Sequence, residues 1–153
     1  MIEEKVLEVQ QEQVLALKDE IMDLYNRELF ERTYYYKQLQ RFDGEIFNIV
    51  KRLMSEEEKH INIIRLVLNR ASISAPDEVE GIPEPPRDTL EVIKIDIEFE
   101  EATTGMYNHT LNDLEPLVEK ADGALKEILI QIRDEELHHI EILREYLERE
   151  SEN

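Results

Sequence analysis

The 153-residue sequence predicts an all-α fold: one four-helix bundle of two antiparallel hairpins joined by a long crossover. Three observations predict it. Apolar residues recur at helical spacing, with no alternating strand pattern. All but one of the few glycines and prolines fall at three places. The second half of the chain repeats the first.

The breaks place the elements. Asp43-Gly44 and Asp122-Gly123 are turn signals. Pro76, Pro83, Pro85 and Pro86 fall within Ala71–Arg87, which excludes a continuous helix there. Four helices follow, at about 3–42, 45–70, 88–115 and 124–150, in a single domain spanning 1–153. The tight turn at 43–44 makes the first pair antiparallel, and the 114–123 link does the same for the second. The crossover at 71–87 could reach about 55 Å if extended, against roughly 40 Å for a 26-residue helix, so it can run the length of the bundle.

Residues 43–70 align without a gap on 122–149, an offset of 79, with 11 identities over 28 positions. Typical composition would give about 2 or 3. The shared residues include Glu57/Glu136, His60/His139, Ile61/Ile140, Ile63/Ile142 and Arg65/Arg144. The first and third helices match more weakly at an offset of 72, pairing Ile21/Ile93, Glu28/Glu100, Tyr35/Tyr107 and Leu39/Leu111. The added length in the second half lies around Pro116.

Composition narrows the function. The 37 acidic against 18 basic residues leave a formal charge of -19, which disfavours nucleic acid and anionic membrane as partners. Zero cysteines exclude disulfides, thiolate metal sites and thiol nucleophiles. With 41% hydrophobic residues the chain carries enough apolar side chains for a core. The start shows no basic or apolar leader, and no run approaches a membrane span, so a soluble cytoplasmic protein is expected.

Chemistry enters through Glu57-x-x-His60 and Glu136-x-x-His139, each setting a carboxylate and an imidazole one turn apart. The spacing alone is weak in so acidic a chain. Position strengthens it. Glu57 and His60 lie in the stripe Val50, Leu53, Ile64, Val67, and Glu136 and His139 in Leu125, Leu129, Ile132, Leu143, Leu147. Glu28 interrupts Leu7, Val14, Ile21, Tyr35, Phe42, and Glu100 interrupts Ile93, Ile97, Tyr107, Leu111. Four carboxylates and two imidazoles thus point into an apolar interior, where unpaired charge is prohibitive. Two divalent cations would balance them, and protonation or buried water is the bland alternative. Glu135/His138 is a rival register, disfavoured because Gln131 and Glu145 spoil its face.

One Glu from each of two helices, with Glu-x-x-His from each of the other two, resembles the ferritin-like dimetal-carboxylate pattern. Arg133-Asp134-Glu135-Glu136 with His139-Ile140-Glu141, and Glu28 and Glu100 each followed seven residues on by Tyr, resemble the rubrerythrin and bacterioferritin branch. The likeness covers nearly the whole chain. It implies that Glu57 and Glu136 bridge two metals, with Glu28, Glu100, His60 and His139 terminal. It further implies two iron ions, with manganese or zinc as substitutes, and reduction of hydrogen peroxide or dioxygen. The absence of Cys means no rubredoxin domain, so an external electron-donor protein is expected. Glu58 stands where bacterioferritins place a haem-ligating Met, so no haem is expected, and the end at Asn153 suits a stand-alone protein over a cage subunit. A ferroxidase or iron-handling role, and a metal-free partner-binding bundle, are the alternatives.

Further residues carry lesser expectations. Glu31 is expected to be solvated, with an extra-ligand role as the alternative. Tyr35 and Tyr107 are expected to fill the core, with hydrogen bonding to ligands as the alternative. Asp96 is a candidate for orienting a ligand imidazole. His109 and His138 are expected at the surface. The first helix overhangs its partners by about 18 Å, and its Val6, Leu7, Val9 and Val14 suggest a homodimer contact.

Overall fold

The computed structural model describes residues 2–117 and 123–152. It is a helical bundle, with no strand among the described residues. Its long helices are α3 (Lys18–Leu39), α4 (Gly44–Arg70), α5 (Thr89–Leu114) and α6 (Ala124–Ser151). They are preceded by two short ones, α1 (Ile2–Lys5) and α2 (Gln11–Ala16). None of the described helices is long and apolar enough to cross a membrane.

Local chemistry accounts for most boundaries. Gly44 takes φ +67°, a conformation that L side chains rarely adopt, and so turns α3 into α4. Asp88 caps α5 by accepting from the Glu91 amide at 3.1 Å. Asp122, the first residue of the second turn signal, lies outside the described residues.

The predicted first helix is broken. Val9 and Gln10 are extended, and Leu17 interrupts the helix again. No Pro or Gly forces these breaks. They fold the segment back so that Val6, Val9, Val14 and Leu17 are buried in one cluster with α3, α4, α5 and α6. A straight helix would leave these side chains in water, at about 1.5–3 kcal/mol each. β-Branched valines also lose little by leaving a helix. The Val9 carbonyl is met by the Arg70 guanidinium, and Gln13 donates to the Leu117 carbonyl. The expected overhang is therefore absent, and the valines assigned to a second copy cover their own bundle. Leu7 is the exception, 75% exposed.

Residues 71–88 form the crossover, tied to α3 at both ends. Tyr25 donates to the Pro76 carbonyl, while Arg41 donates to the Pro85 and Pro86 carbonyls. Lys37 and Arg41 both pair with Glu84. The segment thus tracks α3 from Tyr25 to Lys37, twelve residues and about 18 Å of helical rise. Contacts between residues 28 and 107, and 35 and 100, set α3 antiparallel to α5. Contacts 57 to 139 and 60 to 136 do the same for α4 and α6.

Two apolar clusters fill the interior. One holds the N-terminal segment with Ile21, Leu24, Ile64, Leu68, Leu125 and Leu129. The other holds Val50, Leu53, Ile93, Ile97, Ile140 and Leu143. A polar layer separates them.

Candidate metal centre

That polar layer contains Glu28 of α3, Glu57 and His60 of α4, Glu100 of α5, and Glu136 and His139 of α6. All six are at most 1% exposed. The four-residue offset from Glu57 to Ile61, and from Glu136 to Ile140, keeps the polar pair on the face that the apolar stripe turns inward.

The six form two overlapping groups. Glu28, Glu57, His60 and Glu136 bring one ligand atom each to within 4.8 Å of one another. Glu57, Glu100, Glu136 and His139 do the same. Glu57 and Glu136 belong to both. His60 Nδ1 lies 2.9 Å from Glu136 and 3.6 Å from Glu28, and His139 Nδ1 lies 3.1 Å from Glu57 and 3.5 Å from Glu100. The two imidazoles are 6.2 Å apart, nearly parallel. Each relation recurs on the other side of the approximate two-fold axis implied by the repeat.

The surrounding residues obey the same symmetry. Tyr107 donates to Glu28 at 2.6 Å and Tyr35 to Glu100 at 2.5 Å. These tyrosines therefore bond to the carboxylates rather than merely filling the core. Glu135 lies 3.3 Å from His60 Nε2, and Glu56 lies 3.5 Å from His139 Nε2. Each outer nitrogen thus faces a carboxylate, which leaves Nδ1 turned to the centre. Glu56 and Glu135 are partly exposed, so they link the buried rings to the surface.

Sequence reasoning missed this pair. Asp96, chosen instead to orient an imidazole, contacts neither ring; it accepts from Gln38 at 2.6 Å. The reason is position. Asp96 lies a full turn from Glu100, toward the N-terminus of α5. The internal repeat offered the missing signal, because Glu56 and Glu135 align as an identity at the offset of 79.

Glu31 also departs from expectation, being buried rather than solvated. Thr103 donates to it, and Arg27 lies 3.7 Å away with its guanidinium over Phe30 and Phe99. The repeat pairs Glu31 with Thr103, so the extra carboxylate exists in one half alone. His109 and His138 are exposed, as expected.

The charge state shows what the cluster lacks. Burial, then the neighbouring charges of Glu28 and Glu100, push Glu57 up to about 8. Burial, then Glu28 and Glu57, push Glu136 up to about 7. Burial and Glu136 hold Glu100 well above the ordinary range. For Glu28 burial acts upward too, but contacts with Glu57, His60 and Tyr107 outweigh it and bring the group down to about 2. Burial disfavours charge on both imidazoles, yet the surrounding carboxylates win and raise them, His60 through Glu28 and Glu135, His139 through Glu100 and Glu136. Protons thus balance the cluster without metal.

That balance leaves polar atoms unsatisfied. Glu28 Oε2, both Glu57 oxygens, Glu100 Oε2 and Glu136 Oε2 are buried without a hydrogen-bond partner. His139 Nδ1 is close to Glu57 but out of line for a hydrogen bond. Oxygen and nitrogen ligand atoms that converge in a buried layer without hydrogen-bond partners suit a cation. These buried Glu and His groups could hold a metal ion.

The chain matches no protein-family model and no curated protein.

Proposed function

We propose that the protein is a rubrerythrin-like, non-haem di-iron oxidoreductase of ferritin-like architecture, reducing hydrogen peroxide. The observation that carries this reading is the sharing of Glu57 and Glu136 between two otherwise separate ligand groups. Shared carboxylates between two such groups are what a dinuclear centre requires, and oxygen-rich ligation with two imidazoles suits iron, with manganese next. Glu28 with His60 would close one end and Glu100 with His139 the other.

Two ferrous ions held there would supply the two electrons that convert hydrogen peroxide and two protons to two waters, and an external donor protein would restore them. The residues do the rest. Tyr35 and Tyr107 orient the terminal carboxylates. Glu135 bonds the outer nitrogen of His60, Glu56 lies beside that of His139, and both offer protons a short route from the surface. The apolar clusters on either side exclude bulk water. Burial of all six residues restricts the reactant to something very small, which peroxide and dioxygen both are. Glu31, buried one turn from Glu28, stands as a reserve carboxylate near the Glu100 end.

Anaerobic loading with Fe(II), followed by stopped-flow oxidation, tests the reaction. Faster oxidation by peroxide than by dioxygen, with uptake ending at two irons per chain, is the expected result. Equal or faster oxidation by dioxygen with continued iron uptake would replace the peroxidase with an iron-handling role.

A further inference from the structure

We propose a second, solvent-facing site for a single divalent transition-metal ion, formed by Glu20 of α3 with His109 and Asp113 of α5. His109 and Asp113 are four residues apart, so both project from one face of α5. Antiparallel packing brings Glu20 against them from α3. His109 Nε2 lies 3.4 Å from Asp113 and 3.7 Å from Glu20, and one ligand atom from each residue falls within 4.8 Å of the others. One imidazole and two carboxylates are a donor set for zinc, manganese or ferrous iron.

Three observations separate this triad from an ordinary solvated acidic face. Glu20 Oε1 is buried without a hydrogen-bond partner although its residue reaches the surface. Glu20 and Asp113 both lie beside the His109 ring, and Asp23 adds a third carboxylate nearby. Gly105, one turn before His109, leaves a groove of about 340 Å³ beside the triad. The other half of the repeat makes the contrast. Positions corresponding to Glu20, His109 and Asp113 hold Val92, Lys37 and Arg41, and those two bases pair with Glu84 of the crossover. The triad is therefore a feature of one half, not a by-product of the repeat. Glu20 is eight residues from Glu28, about 12 Å of helical rise, so the outer ion is distinct from the buried centre.

Zn(II) counting by equilibrium dialysis tests the site on the full chain. Wild type should bind one ion more than the double variant His109→Ala with Asp113→Asn, in which both exposed ligands are lost without disturbing the core. The variant Glu57→Ala should keep that outer ion. The His109 ring resonances should shift on adding Zn(II), while those of His138, which faces the single carboxylate Glu141 at 3.4 Å, should not. Equal Zn(II) counts in wild type and the double variant, or equal shifts at His109 and His138, would overturn the proposal. An ion lost in the double variant with none lost in Glu57→Ala would keep this site and overturn the buried dimetal reading instead.

Discussion

Two carboxylates of the buried cluster each accept a hydrogen bond from a tyrosine on the helix opposite, Glu28 from Tyr107 and Glu100 from Tyr35. Tyr107→Phe removes a donor from a fully buried acceptor and should cost about 1–3 kcal/mol in chemical denaturation of the metal-free protein. Asp96 supplies a second residue-level prediction. Burial holds its carboxyl well above the ordinary range, and both its Oδ2 and the Oε1 of Gln38 lack a partner. A protonated acid facing an amide satisfies both. Asp96→Asn should therefore leave stability within about 0.5 kcal/mol, whereas Asp96→Leu should lose about 1–3 kcal/mol by orphaning Gln38. Equal denaturation midpoints for the two variants would count against a neutral Asp96. At this scale the sequence was most legible where a charge interrupts an apolar stripe, as at Glu28, Glu57, Glu100 and Glu136. It was least legible for Glu56 and Glu135, which sit one position, about 100° of helix, off the stripe. Their role depends on which helix lies across from them. Glu31 was misread for a related reason: Thr103 and the Arg27 guanidinium, which make its burial tolerable, come from another helix and another turn.

Among the elements, α4, α5 and α6 follow the sequence expectation to within a residue or two, because Gly44, the proline-rich crossover and the Asp88 cap mark their ends. The N-terminal segment does not. Its breaks at Val9–Gln10 and Leu17 carry no local signal and arise from burial of Val6, Val9 and Val14 on the bundle's own end. Tertiary burial outweighs helix propensity there. Val14→Ala should lower stability by about 2 kcal/mol. It should leave metal stoichiometry unchanged, since no residue of that segment reaches the centre. Sedimentation of the same variant should match wild type, because Val14 faces its own chain. A change in oligomeric state would instead place Val14 at a contact between copies.

For the whole molecule, the distribution of charge matters more than its total. Most of the acidic residues are solvated, while Glu28, Glu57, Glu100 and Glu136, with Glu31 beside them, are buried between the apolar clusters. Glu57, Glu136 and Glu100 hold protons in the folded, metal-free chain at pH values where the unfolded chain has released them. Both imidazoles likewise keep theirs to higher pH. The native state thus binds more protons than the unfolded state above pH 4.5. Stability of the metal-free protein should fall as pH rises from about 4.5 to about 8. Glu28 acts in the opposite sense only below that window, between its ordinary value of 4.5 and about 2. Bound metal should remove the decline by replacing the protons, and loading should release protons into a weakly buffered solution. Thermal unfolding at pH 6 and pH 8, with and without metal, reads both effects. Metal-free protein should lose stability between those values, and a flat or rising profile would contradict the protonated cluster.

Iron stoichiometry combined with Mössbauer spectroscopy tests the central claim most directly. Two irons per chain are expected at the buried centre, magnetically coupled after oxidation because Glu57 and Glu136 would join them. Substitution of either bridging residue by Ala should abolish the coupled signal while leaving the fold intact. Magnetically isolated iron in the wild-type protein, or a coupled signal that survives both Glu57→Ala and Glu136→Ala, would contradict it.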